Sequence, residues 1–249
     1  AIFGSILHMI MQIIYDRYKG KTVTAPALNE IRKNDAFLTK MLEEAFAELY
    51  AKQPDRPKPL KGNNYLVGET LRNYIKQVLK IDAQLAPFEY IDSEMRFRKQ
   101  HKVNDNLIVN FKGSIDRIDM INGTTRIIDY KSGTGDLNFK EMEFLFDSSR
   151  DKRPKPILQV FIYAFFYNMI HPGKLLSPGI YFLRTSFQNF SSTVTYDKHE
   201  INDATVYFDE FESLLNEKVE ELFNKDIPFT QTENLKNCEY CPFKDLCGR

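Results

Sequence analysis

Asp116-Arg117-Ile118-Asp119-Met120-Ile121-Asn122-Gly123-Thr124-Thr125-Arg126-Ile127-Ile128-Asp129-Tyr130-Lys131 reads as a β-hairpin. Both arms are β-forming, and Asn122-Gly123 between them is the strongest short-range signal for a two-residue turn. With those two as the loop, Ile121 meets Thr124, Ile118 meets Ile127, and Asp116 meets Asp129. A wider loop centred on the same pair keeps this register, whereas a three-residue loop breaks it.

That register sets two carboxylates side by side on one face. Cross-strand neighbours sit roughly 5 Å apart, and like charges there destabilise the pair. At an effective dielectric of ~20 the repulsion is roughly 3 kcal/mol. A divalent cation between the acids reverses its sign. Lys131 lies two residues beyond Asp129 and projects from the same face. Two acids and a lysine converging there can form a hydrolytic metal site. An Asp-x-Lys triplet alone is common and is more often simply the solvent side of an edge hairpin.

Outward from the hairpin, the spacing predicts helices over 2–18, 27–51 and 65–85, then strands over 90–99, 107–120 and 124–131. A short helix over 139–146, a helix over 158–170, strands over 177–187 and 192–196, and an acidic-faced helix over 204–225 follow. The expected fold is mixed α/β (α+β), with a central mixed sheet flanked by helices and an N-terminal helical subdomain. The expected division is 1–87 helical, 88–226 core and 227–249 a cysteine-bearing tail. Strand order is not readable. Gln159 and Tyr163 are four apart on one helix and share a face, where both could hydrogen-bond a phosphate or a sugar edge.

The chain has 249 residues, with 34 basic and 34 acidic side chains. Its balanced charge announces no nucleic-acid partner, so any such partner needs a local patch. One candidate is the loop carrying Arg150, Lys152, Arg153 and Lys155, whose pull on a polynucleotide backbone would be salt-sensitive and sequence-independent. A solvated connection is the plain alternative. No apolar run reaches membrane-spanning length and no signal peptide is visible. The three cysteines, Cys238, Cys241 and Cys247, cluster near the end. An odd cluster argues against a secreted disulfide framework and for an intracellular location. The chain opens with Ala1 inside an apolar helical pattern, which reads as a piece of something longer.

Gly113-Ser114-Ile115-Asp116-Arg117-Ile118-Asp119, Ile128-Asp129-Tyr130-Lys131-Ser132-Gly133 and Gln159-x-x-x-Tyr163 resemble the RecB-type branch of the PD-(D/E)XK nuclease superfamily, which has the restriction-endonuclease-like fold. Gly4-x-x-x-His8 resembles the helical motif opening such domains, and the cysteine tail that of the iron–sulfur members such as AddB-type subunits. The resemblance runs from residue 4 to 247. It implies His8, Asp116, Asp129 and the Tyr130 carbonyl as ligands of Mg²⁺ or Mn²⁺, with Glu94 a further candidate. It makes Lys131 the catalytic lysine, with Gln159 and Tyr163 positioning it or the phosphodiester. The implied activity is a metal-dependent DNA nuclease, an exonuclease of DNA repair and recombination, working with a helicase region or partner subunit.

Three thiolates are one short of a 4Fe–4S ligand set. The resemblance places the fourth cysteine just upstream of the histidine helix, before residue 1. A three-cysteine zinc site and a metal-free tail are the alternatives. For the whole protein, the competing readings are a non-catalytic DNA-binding or scaffolding module and a small-molecule phosphohydrolase.

Overall fold

The computed structural model describes residues 2–147, 149, 153–188 and 190–249. In chain order the elements begin with α1 (Ile2–Asp16), β1 (Lys21–Val23), α2 (Ala25–Lys33), α3 (Asp35–Leu49) and α4 (Asn63–Leu85). There follow β2 (Phe88–Asn104), β3 (Leu107–Ile121), β4 (Thr124–Lys131) and β5 (Asn138–Phe139). The rest are α5 (Lys155–Ile170), β6 (Leu175–Phe182), β7 (Thr195–Tyr196), β8 (His199–Glu200) and α6 (Phe208–Phe223).

The hairpin closes through Asn122 and Gly123 at φ 50° and 83°, the positive values a two-residue turn needs at both central positions. From Ile121↔Thr124 the register runs through Ile118↔Ile127 to Arg117↔Ile128. β2 pairs with β3 along most of its length, β1 edges β2, and β6 joins β4 in parallel. The sheet order is β1-β2-β3-β4-β6, and β5, β7 and β8 form a second small sheet. The parallel β4–β6 pair needs a long crossover, which contains α5.

Adjacent residues of β4 feed opposite faces. Ile128 and Tyr130 join Leu7, Ile10, Leu42, Leu79 and Tyr90 in one core against α1–α4. Ile127 joins Ile118, Phe161, Phe165 and Phe211 in a second core against α5 and α6. Among the described residues, six α-helices thus flank a mixed central sheet, a restriction-endonuclease-like arrangement.

Several details differ from the sequence reading. The helix expected over 27–51 is two helices, because the Asn34 side chain accepts from the Phe37 N–H at 3.0 Å and caps a new start. The helix expected over 139–146 is β5 followed by a 3-10 turn, Met142–Leu145. The strand expected over 177–187 ends at Phe182 in another 3-10 turn. The strand expected over 192–196 is only the two residues of β7, and neither β1 nor β8 was anticipated.

Candidate metal and phosphodiester site

The strand pairs Ser93↔Arg117 and Met95↔Ile115 bracket Glu94 on β2 and Asp116 on β3. The pair Arg117↔Ile128 stands immediately before Asp116 and Asp129 in the β3–β4 register. Three carboxylates therefore form a row across three strands. Beyond Arg117↔Ile128 the backbone ladder stops, and the Tyr130 N–H donates instead to Asp116 Oδ2 at 2.8 Å. The Asp116 carboxylate is thereby wedged where the strands part.

Glu94 adopts φ 46° inside a strand. A non-glycine residue held there costs on the order of 1 kcal/mol, and such strain clusters at functional sites. Its carboxylate accepts from Ser114 Oγ at 3.1 Å and faces His8 Nδ1 at 3.2 Å. His8 comes from α1, whose buried stripe of Ile6, Leu7, Ile10, Met11, Ile14 and Tyr15 fixes the helix on the sheet. Its Nδ1 also lies 3.6 Å from Asp116 Oδ1, and its Nε2 meets the Tyr130 carbonyl at 3.3 Å.

His8, Glu94 and Asp116 each offer a donor atom within 4.8 Å of the others. One imidazole nitrogen and carboxylate oxygens suit Mg²⁺ or Mn²⁺. The charge distribution fits as well. Burial and the neighbouring Asp129 push Asp116 up to about 7. Burial raises Asp129 too, against the pull of Lys131. Burial opposes protonation of His8, but the hydrogen bond to Glu94 and the charge of Asp116 raise it above its ordinary value. The hydrogen bond from His8 draws Glu94 down. Asp116 and Asp129 thus oppose each other's ionisation, a conflict that a bound cation would relieve.

Asp129 is 1% exposed and stands outside the close triad, held instead by Lys131, whose Nζ lies 3.1 and 2.9 Å from its two oxygens. Lys131 Nζ also donates to Gln159 Oε1 at 2.9 Å, and Gln159 Nε2 donates to Tyr163 OH at 2.7 Å. Asp129, Lys131, Gln159 and Tyr163 thus form one relay from β4 to α5. The Tyr130 carbonyl, implied by the resemblance as a metal ligand, lies against His8 Nε2 at 3.3 Å.

Gly113 has a physical role in this relay. A Cβ there would lie 2.7 Å from the Phe97 ring and 3.1 Å from Tyr163. Gly113→Ala is expected to destabilise the fold by about 1–3 kcal/mol through overpacking and to push Tyr163 off Gln159. Thermal unfolding together with a crystal structure of the variant checks both.

Behind the site lies a buried charge network that the sequence did not disclose. Arg117 is 1% exposed. Its guanidinium donates to Asp82 Oδ2 at 2.6 Å, Asp119 Oδ2 at 2.7 Å and Tyr130 OH at 3.1 Å. It stacks on Tyr15 and Phe88 at 4.5 and 4.9 Å, while Tyr15 OH donates to Asp82. Arg126 completes the cluster by gripping Asp119 at 2.6 and 2.8 Å. Arg117 adjoins Asp116, and Tyr130 lies between Asp129 and Lys131. The network therefore anchors the backs of both strands that carry the site.

Gly4, His8, Gln12, Glu94 and Arg96 line a cleft of about 810 Å³. Gly4 is one helical turn from His8, and a Cβ there would meet nothing within 4 Å. In the basic loop, Arg150 and Lys152 lie outside the described residues. Arg153 borders a second cleft of about 970 Å³, and Lys155 is exposed at the start of α5.

The tail hydrogen-bonds largely to itself, as in Gln231 Nε2 to the Cys247 carbonyl at 3.0 Å. Cys238 and Cys241 are half-buried and Cys247 is exposed. Among the described residues, His8, Glu94 and Asp116 are the one set of three such donors within 4.8 Å, so the thiols do not converge to that spacing. No helix among those residues is long and apolar enough to cross a membrane.

A lysine clasped by an aspartate stands beside a His–Glu–Asp group that could hold a metal, on a mixed sheet between helical layers. A profile of the PD-(D/E)XK nuclease superfamily matches residues 1–248, and the chain belongs to that superfamily. Comparison with curated proteins gives no significant match.

Proposed function

We propose that the chain is a Mg²⁺- or Mn²⁺-dependent deoxyribonuclease domain, an exonuclease of the RecB/AddB type serving DNA repair and recombination. The observation that carries it is Lys131 Nζ held between Asp129 and Gln159 beside the triad of His8, Glu94 and Asp116. The order of the Gly4-x-x-x-His8, Asp116, Asp129-x-Lys131 and Gln159-x-x-x-Tyr163 motifs supports the subtype. A helicase region or partner subunit and an intracellular setting belong to the same proposal, as does a cluster on Cys238, Cys241 and Cys247 completed by a fourth ligand.

When bound, the cation would neutralise the acidic row and activate water for attack on the phosphodiester. His8, Glu94 and Asp116 would hold it, with Asp129 adjoining. The Tyr130 carbonyl fixes the His8 ring so that Nδ1 faces the acids. Asp129 and Gln159 hold the Lys131 ammonium where negative charge develops on the phosphate. Tyr163 fixes the amide of Gln159.

The test is digestion of linear and covalently closed circular DNA, single- and double-stranded, with Mg²⁺ or Mn²⁺. Linear DNA should be degraded and closed circles spared, and chelation should stop the reaction. Lys131→Ala should lower kcat by about 10²–10³. Binding without cleavage under either ion would leave a non-catalytic DNA-binding module, and hydrolysis of nucleotides but not polymers a phosphohydrolase.

A further inference from the structure

β2 and β3 run on as a long two-stranded arm past the triad. The face carrying Phe97, His101 and Phe111 is buried against α5 and α6, as in the 5.6 Å Phe97–Phe166 stack and the His101 Nε2–Asn216 Oδ1 contact at 2.6 Å. The other face carries Arg96, Arg98, Gln100 and Lys102 on β2, opposite Ser114, Lys112, Asn110 and Ile108 on β3. Apart from the half-buried Ser114, all of these side chains are exposed.

Residues 95–112 hold Arg96, Arg98, Lys99, Lys102 and Lys112 against a single acid, Asp105. That is a net +4 within a chain of net zero charge. Asp105 is taken by Lys102 at 2.7 Å. Among the described residues no carboxylate lies within ion-pair distance of Arg96, Arg98 or Lys112. Arg98 and Lys112 are paired directly across the strands, where like charges destabilise a sheet. The same face continues into the site: Ser114 bonds Glu94, and Arg96 lines the cleft with Glu94 and His8.

We propose that this exposed face of the β2–β3 arm is a track that guides the phosphodiester backbone of the polynucleotide substrate into the metal site. The occupant follows from charge complementarity and from continuity with the cleft. Side chains on one face of a strand recur every ~7 Å, so Arg98 and Lys112 contact the backbone about 14 Å from Glu94. They grip phosphates without reading bases. This inference rests on the nuclease reading.

The test is Arg98→Gln/Lys112→Gln, compared with the unaltered chain and with the charge-retaining Arg98→Lys/Lys112→Arg. Binding of a fluorescent single-stranded oligonucleotide is followed against salt in Ca²⁺, and cleavage in Mg²⁺ is followed against substrate length. The Gln variant should bind a long oligonucleotide about tenfold more weakly and lose about 1.5 from the log–log salt slope. Its loss in kcat/KM should grow with substrate length and vanish for a dinucleotide. Its Tm should not fall, because a repulsion is removed. The charge-retaining variant should keep both affinity and slope.

Unchanged affinity and slope, or an equal loss at every length, would overturn the track while leaving the nuclease assignment standing. An unaltered chain that cuts no DNA in Mg²⁺ or Mn²⁺ would instead sink the assignment, and the binding arm would still judge the track.

Discussion

Replacing Asp116 by Asn is expected to lower DNA cleavage by about 10³ or more and, at the same time, to raise the Tm of the metal-free protein at pH 8. The loss follows from removing a charged member of the proposed ligand set from the centre of the carboxylate row. The gain follows from the same row, seen without its cation. Asp116 is buried beside Asp129, and its carboxyl is pushed from 3.8 up to about 7. A carboxyl whose folded-state value is raised binds its proton more tightly in the folded chain, so folding loses stability as the pH climbs from about 4 to 7. Above pH 7 the penalty is fully present, at most about 4 kcal/mol. Below pH 4 it is absent. Asn carries no charge yet still offers an oxygen to the Tyr130 N–H that Asp116 accepts at 2.8 Å. The stabilisation should therefore be seen at pH 8 and vanish at pH 4. Added Mg²⁺ should raise the Tm of the unaltered chain, because a ligand that binds only the folded state stabilises it, and should do much less for Asp116→Asn. A variant less stable than the parent at pH 8 would show that the acids are not in conflict, and the case for a cation between them would fall.

The hairpin was legible because a two-residue Asn-Gly turn leaves no freedom in the count. Once Asn122 and Gly123 are the loop, every pair as far as Arg117↔Ile128 is fixed. Helices such as α1 were legible from apolar spacing alone. The break at Asn34 was written in the sequence as a capping residue inside a helical pattern. Glu94 was another matter. Its place opposite Asp116 depends on a register shift between Tyr90 and Asp92, and its aim depends on a positive φ that no pattern announces. The β5–β7–β8 sheet joins segments nearly sixty residues apart, beyond the reach of local periodicity. Arg117 stands in the quoted motif without a role of its own, since nothing local marks an arginine as buried and arginine is seldom buried without a partner. That partner, Asp82, lies on α4, 35 residues away.

Removing that partner should have the largest effect on stability anywhere in the chain. Asp82 is 0% exposed and Arg117 1% exposed, and the Asp82 carboxylate accepts from Arg117, Tyr15 and, at 2.8 Å, Tyr181. Asp82→Ala leaves a guanidinium with one of its two acids and strands two tyrosine hydroxyls in the core. Breaking a buried pair from one side costs about 3–5 kcal/mol, and in a domain of this size that lowers Tm by roughly 10 °C. A double change, Asp82→Leu with Arg117→Met, removes the stranded charge and should recover much of the loss. It should not recover cleavage. Arg117 Nη1 also holds Tyr130 OH at 3.1 Å, and Tyr130 sits between Asp129 and Lys131. Without that anchor β4 can shift, and the lysine loses its fixed position between Asp129 and Gln159. Acid tests the same network independently. Burial disfavours the Asp119 carboxylate, but Arg117 and Arg126 outweigh it and hold the group below its usual range. Its stabilising share is therefore complete above about pH 4 and is lost as the pH falls further. The double variant, lacking Arg117, should lose less of its stability over that acid range than the parent. Equal acid sensitivity in both, or full cleavage by a refolded double variant, would show that the network only fills space behind the site.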